Sequence, residues 1–267
     1  MVRKNLGDEA ARLSGTQSIE RALLLLREIA AHNRTGSRLL DLATRTGLQR
    51  PTVHRMLKCL TLEGMVQQDP DTHRYYLGSM VFELGLTAAP RFNLRDICHP
   101  AMTRIADATG DTVFLTQRSG LDSVCLDRYE GTFPIKTFTL EIGMRRPLGV
   151  GTGSLAILSA LPEEEMRNVI NSNTPRLAEY GLTASSLLSQ VRRAQKLGYA
   201  VREMPTLAGV RSIGHALHNH SGVAFAALSV SAISSRMTEK RVGELAPLLR
   251  NETRLIEKQL ATGGDGR

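Results

Sequence analysis

The chain has 267 residues, of which 42% are hydrophobic and 22% charged, and this balance predicts a globular protein of one large or two modest domains. It has no apolar run near the ~20 residues that span a bilayer, no signal-peptide pattern in its polar start, and only three widely spaced cysteines, which argue against a disulfide framework. We therefore expect a cytoplasmic protein with no membrane partner, metal or cofactor, and the net charge of +8 favours an anionic partner.

The first predicted element is an amphipathic helix over residues 18–31, which follows a flexible tail of residues 1–15. Its apolar residues recur at helical spacing, and Ser18 is a suitable N-cap. Ser37 is suited to cap a second helix, which ends near Gly47. A glycine there adopts a positive φ without a Cβ penalty, as a tight turn between two helices requires.

A third helix is predicted over residues 49–63, with Pro51 in its first turn, where the missing N–H costs little. One face is apolar and carries Val53, Met56, Leu57 and Leu60. The opposite face carries Pro51, Arg55 and Lys58, flanked by Thr52 and His54. Residues 34–58 hold six basic residues against one acidic residue. This order of features is typical of a helix-turn-helix.

Two short extended runs, 65–68 and 73–77, flank the turn sequence at 69–72 and predict a β-hairpin. A hairpin directly after a recognition helix is a wing, which reaches phosphate or the minor groove. The alternative is a three-helix packing unit with solvated arginines, but the agreement of turn, charge and hairpin favours DNA binding. The predicted DNA contacts are Arg38, Gln49, Arg50, Pro51, Thr52, His54, Arg55, Lys58, His73 and Arg74.

With these motifs in place, the chain resembles the IclR family of bacterial transcription regulators over nearly its whole length. The N-terminal stretches that carry the resemblance are SIERALLLLREIA, TGLQRPTVHRMLKCLTLEGMV and YYLG. The C-terminal stretches are TGDTVFLTQRSG, GMRRPLGVGTGSLAILSALP, LGYAVREMPTLAGVRSIGHAL and FAALSVSA. The resemblance implies a winged helix-turn-helix domain (16–78), a linker helix (79–92) and a GAF-like mixed α/β domain (93–262) that binds an effector and oligomerises. It also implies a homodimer or homotetramer.

The C-terminal residues themselves predict a short linking helix that Gly85 interrupts. A longer helix follows, which Asn93 caps and Gly110 ends, with a kink at Pro100. Strands are predicted at 112–118, 123–128, 134–140, 199–203, 210–218 and 223–231. Two or three further helices lie within this series, and a helix over 238–261 closes it. Helices around a mostly antiparallel sheet predict the α+β fold class.

The segment GVGTGSLAILSAL, residues 149–161, places a glycine-rich loop before an apolar helix. Free backbone N–H groups at such a helix start favour an anion such as a carboxylate. No lysine follows in a nucleotide-binding pattern. The alternative interpretation is a tight loop that only packs on the sheet.

The family resemblance implies that this loop is part of an effector pocket. The effector contacts that it implies are Gly151, Thr152, Gly153, Arg202, Glu203, Val210, Ser212, Ser229 and Ser231. Hydroxyls, backbone donors and an arginine together suit a carboxylate or hydroxy acid. Two positions depart from the family pattern: Gly149 stands where many relatives have a polar or aromatic residue, and Arg202 where an acidic residue is common. Both departures favour a larger or more anionic effector.

Other candidate motifs have structural explanations. The sequence HNHSG, residues 218–222, is expected to be a hairpin turn rather than a metal cluster, and the acidic run at 163–165 the first turn of a helix. Cys98 and Cys125 are expected to be buried, apolar groups. The arginines at 145–146 are expected on a solvated loop, with gating of the pocket as the alternative.

The predicted function is a ligand-responsive, DNA-binding transcription regulator rather than an enzyme. Helix 49–63 lies in the major groove of a double-stranded DNA operator, and a small organic acid binds in the C-terminal domain. Two alternatives stay open: an enzyme that uses the C-terminal pocket, against which the lack of a catalytic pattern counts, and a protein that binds DNA without sequence preference.

Overall fold

The computed structural model describes residues 16–89, 93–137, 140–203 and 209–263. The chain forms two compact units, residues 1–91 and 92–267. The tail predicted at residues 1–15 lies outside the described residues. None of the described helices is long and apolar enough to cross a membrane.

The first unit is built on three helices, α1 (Gln17–Ala31), α2 (Leu39–Thr46) and α3 (Arg50–Leu62). These three predicted helices are confirmed. Isolated helices of this length are marginal in water, so the packing of their apolar faces stabilises them. The buried core of the unit consists of Leu25, Ile29, Leu42, Ala43, Val53, Leu57, Val66 and Tyr75.

Both N-caps predicted for the first two helices are wrong. Helix α1 begins before Ser18, with Thr16 at its N-cap. The N-cap of α2 is Arg38, one residue after the predicted Ser37. Ser37 is held in an extended bridge instead, because its N–H donates to the carbonyl of Tyr75 at 3.1 Å and its carbonyl accepts from the Tyr75 N–H at 2.8 Å.

The turn between α2 and α3 is confirmed. Gly47 has a φ of 67° and ends α2, and Pro51 lies in the first turn of α3. The hydroxyl of Thr46, next to the turn, donates to the Leu42 carbonyl at 2.6 Å. The polar side chain therefore has its partner within its own helix.

The predicted wing is also confirmed, with shorter strands. Strands β1 (Val66–Gln68) and β2 (Tyr75–Leu77) pair in antiparallel register. In the connecting turn, the Asp69 carboxylate accepts hydrogen bonds from the N–H and the hydroxyl of Thr72, both at 2.7 Å. These bonds hold the pKa of Asp69 below its ordinary value, since they favour the charged carboxylate.

Helix α4 (Ser79–Ala88) follows the wing. The interruption predicted at Gly85 is wrong, because the helix runs through this residue unbroken. Residues 90–92 of the predicted linker helix lie outside the described residues. None of the α4 side chains is buried.

The second unit contains a six-stranded antiparallel sheet. Its strands in chain order are β3 (Thr112–Ser119), β4 (Asp122–Tyr129), β5 (Arg145–Pro147), β6 (Ala200–Glu203), β7 (Val210–His218) and β8 (Ala224–Ile233). Across the sheet the order is β5-β4-β3-β8-β7-β6, so β3 and β8 form the centre. Successive residues of these strands face opposite sides, and residues on both sides are buried in β3, β7 and β8.

Helices cover both faces of this sheet. Helix α5 (Leu94–Thr109), with Asn93 at its N-cap and Gly110 at its end, packs with α9 (Glu239–Gly263) on one face. The other face is covered by α6 (Thr152–Ser159), α7 (Glu163–Leu177) and α8 (Ala184–Leu197). The α+β fold class is therefore confirmed.

One predicted strand is wrong. Residues 134–137 and Leu140 are not in a strand, and residues 138–139 lie outside the described part of the chain. The edge of the sheet is formed instead by β5, in which Arg146 pairs with Ser123 of β4. Proline is tolerated at the end of such an edge strand, and Pro147 ends β5.

Truncation of one buried leucine tests whether packing holds α3 in place. We expect Leu57→Ala, at a side chain only 1% exposed, to lower the free energy of unfolding. The loss is about 2–5 kcal/mol, because lost contacts and a residual cavity add up. Urea denaturation followed by circular dichroism measures this loss. Leu62→Ala on the same helix, 78% exposed, is the control. Equal effects of the two substitutions would contradict the packing described.

Candidate nucleic-acid interface and ligand cavity

The outer face of α3 is open to solvent and cationic. Arg50, Arg55 and Lys58 are exposed, as are Gln49, Pro51 and His54, while Thr52 is half-buried. Within the described residues, none of these three cations forms a salt bridge, whereas many other arginines of the chain do. Their charges are therefore available to an anionic partner.

The opposite face of α3 explains why this outer face is open. Val53 and Leu57 are completely or almost completely buried against α1, α2 and the wing. Met56 and Leu60 pack at the edge of the same core. Because one side of the helix is fixed in the core, the side about 180° away faces solvent.

A groove between α3, the start of α2 and the wing brings several of the predicted DNA contacts together. It is lined by Arg38, Leu39, Leu40, Arg50, His54, Gln68, Asp71, Thr72, His73, Arg74 and Tyr75. Half of the ten predicted contacts are in this lining. Gln49, Pro51, Thr52, Arg55 and Lys58 lie on α3 or at its N-cap, outside the groove lining.

Arg74 has a structural contact that sequence reasoning missed. Its Nη1 donates to the carbonyls of Thr35 and Gly36 at 3.2 and 2.9 Å. The arginine thereby ties the wing to the turn that precedes α2. No local sequence signal predicts this bond, because its partners lie almost forty residues away. His73, by contrast, is exposed at the tip of the wing with a φ of 55°.

The glycine-rich loop and the start of α6 form one wall of a cavity on the sheet. The cavity has a volume of about 20 Å³, and its empty space is about 420 Å³ when the part open to solvent is included. It is lined by Phe114, Thr116, Ser123, Cys125, Leu140, Met144, Arg146, Val150, Gly151, Thr152, Gly153, Ser154, Ser212, Ser229 and Ser231. Six of the nine predicted effector contacts are therefore in the lining.

Close approach of α6 to the sheet depends on a small residue at position 153. A Cβ on Gly153 would lie 3.0 Å from the Thr116 hydroxyl and 3.4 Å from that of Ser229. Glycine thus lets the helix start lie directly over β3 and β8.

The hydroxyl groups of the cavity fall into two classes. Ser212 and Ser231 are paired by their Oγ atoms at 2.6 Å, across neighbouring strands. The Oγ1 atoms of Thr116 and Thr152 are buried without a hydrogen-bond partner among the described residues. Buried polar atoms normally have partners, so these two hydroxyls are suited to a polar ligand or ordered water.

Comparison with known proteins identifies the family. The family model described as "Bacterial transcriptional regulator IclR C-terminal" matches residues 86–258, and "IclR helix-turn-helix domain" matches residues 18–70. The chain belongs to the IclR family. It is a DNA-binding transcription regulator.

Individual relatives resemble this IclR-family chain along nearly all of its length. The acetate operon repressor of Salmonella typhimurium is 28% identical over 98% of this chain and 96% of its own. The crystal structure of an IclR-family regulator from Brucella abortus is 23% identical and covers 96% of both chains, with a TM-score of 0.78. An IclR homologue from Microbacterium hydrocarbonoxydans, complexed with 4-hydroxybenzoate, is 22% identical over 92% of this chain and 100% of that one, with a TM-score of 0.71.

Three predicted effector contacts of this IclR-family chain lie outside the cavity lining. Arg202 is buried on β6, where its Nη1 donates to the Gly149 carbonyl at 3.0 Å, and burial lowers the pKa of its guanidinium to about 10. Glu203 is exposed and accepts a hydrogen bond from the Ser234 hydroxyl at 3.0 Å. Val210 is buried on β7.

The remaining candidate motifs mostly behave as predicted. Residues 219–223 form the hairpin turn, in which the Asn219 side chain accepts two backbone N–H bonds. The acidic run at 163–165 forms the first turn of α7. Cys98 and Cys125 are buried, and burial raises the pKa of these thiols to about 12 and about 11, so both stay protonated near neutral pH.

The interpretation of residues 145–146 as a solvated loop is wrong. Both arginines lie on the edge strand β5. Arg145 pairs with Asp122 at 3.2 Å, and Arg146 lines the cavity, where burial lowers the pKa of its guanidinium. Sequence reasoning missed Arg146 and Thr116 as cavity residues, because their meeting depends on strand register rather than on a local motif. It also missed Ser154, although this residue lies within the glycine-rich segment itself.

A double-mutant cycle tests the buried serine pair. We expect Ser212→Ala and Ser231→Ala each to lower the free energy of unfolding by about 1–3 kcal/mol, because each leaves one buried hydroxyl without its partner. The loss in free energy of unfolding of the double variant should be smaller than the sum of the two single losses, by at least about 0.5 kcal/mol. Urea denaturation measures all three losses, with Ser189→Ala, at an exposed residue of α8, as the control. Strictly additive losses would contradict a direct bond.

Proposed function

We propose that α3 enters the major groove of a DNA operator and that the groove-lining wing contacts the DNA backbone. The proposal rests on one observation: Val53 and Leu57 fix one side of α3 in the core and leave a cationic side in solvent. A helix of about 10–12 Å diameter fits a major groove about 12 Å wide. The proposed contacts are Arg38, Gln49, Arg50, Pro51, Thr52, His54, Arg55, Lys58, His73 and Arg74.

These contacts divide by chemistry. Arg55, His54 and Thr52 are the proposed base-reading residues: Arg55 lies on the exposed face, with Thr52 and His54 at its two edges, and arginine reads guanine with two hydrogen bonds. Arg50 and Lys58 supply phosphate contacts, which position the helix. Arg74 contributes its charge from a fixed place, because its Nη1 already binds the Thr35 and Gly36 carbonyls.

We further propose that a small organic acid binds at the glycine-rich loop and alters DNA binding. Support comes from the unpaired hydroxyls of Thr152, the first residue of α6, and of Thr116, which lies beside Gly153 at the start of α6. An anion is favoured at such a helix N-terminus. The IclR homologue from Microbacterium hydrocarbonoxydans, complexed with 4-hydroxybenzoate, supports the hydroxy-acid class. The proposed contacts are Gly151, Thr152, Gly153, Arg202, Glu203, Val210, Ser212, Ser229 and Ser231.

The cavity is better suited to binding than to catalysis. Its described lining contains no histidine, lysine, aspartate or glutamate that would serve as a general base. Its one thiol, Cys125, has a pKa raised to about 11 and is therefore a poor nucleophile near neutral pH. We propose accordingly that the chain is a cytoplasmic regulator without enzymatic activity.

We also propose that the regulator is a homodimer or a pair of such dimers, joined partly through α1 and α4. Phe82, Leu84 and Leu86 on α4 are exposed, as are Ile19 and Leu23 on α1. So many large apolar side chains in one unit mark a surface that another chain covers. A second copy fits best, because twofold symmetry presents two recognition helices to the half-sites of an operator.

Removal of the central arginine tests the DNA proposal. We expect Arg55→Ala to weaken binding to the promoter DNA beside its own gene about 5- to 150-fold, as loss of one bidentate base contact does. Binding to random duplex should fall far less, and the thermal transition should stay within about 1 °C, because the side chain is exposed. Fluorescence anisotropy measures both affinities, with Arg254→Ala, at an exposed residue of α9, as the control.

Two results would count against this proposal. An equal loss on promoter and random DNA would make Arg55 a phosphate contact only. Equal competition by random duplex against the wild-type complex would overturn sequence-specific regulation and favour the alternative of non-specific DNA binding.

Introducing negative charges on α4 tests the proposed assembly surface. We expect Phe82→Glu/Leu86→Glu to weaken self-association at least about tenfold, because two carboxylates then enter an apolar contact. Sedimentation velocity measures the oligomeric state. Leu62→Glu, at a leucine of α3 that is 78% exposed, is the control and should leave assembly unchanged. A double variant that assembles like wild type would place the interface elsewhere.

A further inference from the structure

Leu62, the last residue of α3, holds a large apolar side chain in solvent. It is 78% exposed, more than any other exposed large apolar residue in the described part of the chain. It is not part of the core of the first unit, which α3 enters through Val53 and Leu57. Replacement of Leu62 should therefore leave folding nearly unchanged, so that an effect on DNA binding can be measured separately.

Helical geometry places Leu62 on the same face of α3 as the cations. At about 100° per residue, Leu62 points within about 20° of Arg55, which lies seven residues earlier, and within about 40° of Lys58. Val53, at the buried side of the helix, lies nine residues earlier and points about 180° away. Leu62 therefore continues the exposed cationic face to the end of the helix.

The distance along the helix also keeps Leu62 within reach of the bases. Arg55 and Leu62 are separated by about 10.5 Å along the axis, at about 1.5 Å per residue. This corresponds to about three base pairs for a helix that follows the groove. The base-contacting residues of a homeodomain helix extend over the same interval of seven residues. A helix that contacts bases with Arg55 therefore brings Leu62 to the same groove.

The major groove offers one chemical group that suits a leucine. The base edges in this groove carry hydrogen-bond donors and acceptors, and the C5 methyl group of thymine is their apolar feature. Contact between this methyl group and a leucine removes apolar surface of both from water. A phosphate or a polar base edge forms no such favourable contact with leucine, which has no donor or acceptor in its side chain.

We propose that Leu62 recognises thymine in the operator through contact with its C5 methyl group. The proposal rests on the proposed position of α3 in the major groove and deepens it, because it adds an apolar specificity contact to the cationic and polar ones. It also lengthens the base sequence that one α3 recognises, by about three base pairs beyond the contact of Arg55. Sequence reasoning did not include Leu62 among the DNA contacts.

Uracil in place of thymine removes this methyl group and leaves base pairing unchanged. The probe is the promoter DNA beside the gene of this chain, synthesised with thymine or with uracil throughout. Fluorescence anisotropy measures its affinity for the full-length protein. We expect uracil to weaken wild-type binding at least about fourfold, as the loss of one buried methyl group does. Leu62→Ala should weaken binding to thymine DNA by a similar factor.

The decisive quantity is the uracil penalty, the ratio of the affinities for thymine and uracil DNA. It should be at least about threefold smaller for Leu62→Ala than for wild type, because the methyl group and the leucine contribute through the same contact. Leu62→Met keeps an apolar side chain and should retain the penalty. Leu255→Ala, at an exposed leucine of α9, is the control and should behave like wild type on both DNAs.

Three results would overturn the proposal. One is an equal uracil penalty, or no penalty, for wild type and Leu62→Ala. Another is binding of thymine DNA by Leu62→Ala that equals that of wild type. The third is weaker self-association of Leu62→Ala in sedimentation velocity, which would make Leu62 a contact between copies of the chain.

Random duplex DNA separates this failure from failure of the proposed function. If wild type prefers the promoter to random DNA but its uracil penalty does not depend on Leu62, the thymine contact alone has failed. If wild type binds the promoter and random DNA equally, sequence-specific binding by α3 has failed, and the thymine contact has failed with it.

Discussion

The burial of Val53 and Leu57 is the contact on which the DNA-reading surface depends. When the apolar stripe of a helix is fixed in a core, the opposite face of that helix must point to solvent. Gly47, Pro51 and the wing all act on this same helix: the glycine turns the chain into it, the proline starts it, and the wing packs at its end. The cations of α3 are consequently presented to solvent without any pairing partner of their own in the described residues.

In the second unit, burial also fixes the position of the polar groups, but here the buried element is a sheet instead of a helix. Because β3, β7 and β8 are buried on both faces, their hydroxyls are also buried, and each requires a partner. Ser212 and Ser231 satisfy each other, whereas Thr116 and Thr152 do not. A small residue at position 153 allows the helix start to close over them. The cavity therefore contains buried hydroxyls without hydrogen-bond partners, and it lies beneath a helix N-terminus.

Periodicity predicted most of the fold because it records which side of an element is buried. It failed where contacts with residues distant in sequence decide the local structure. Residues 134–140 follow a Gly-Thr turn signal, as a strand would, yet the sheet edge is formed by Arg145–Pro147, which has no strand signal. Ser37 looks like a helix cap but pairs with Tyr75. Likewise, the outer face of α3 was predictable from spacing, whereas the Arg74 anchor and the cavity role of Arg146 required the tertiary contacts.

The central position of β3 and β8 has a consequence for biogenesis. These strands pair directly, with Val113 opposite Val230, although more than a hundred residues separate them in the chain. Closing so long a loop is slow, and it requires that the second strand has already been synthesised. The helical N-terminal unit, with its local contacts, is free to fold while translation continues. The second unit, in contrast, completes its central strand pair only after β8 has been synthesised, whereas the whole core of the first unit precedes β3 in the chain.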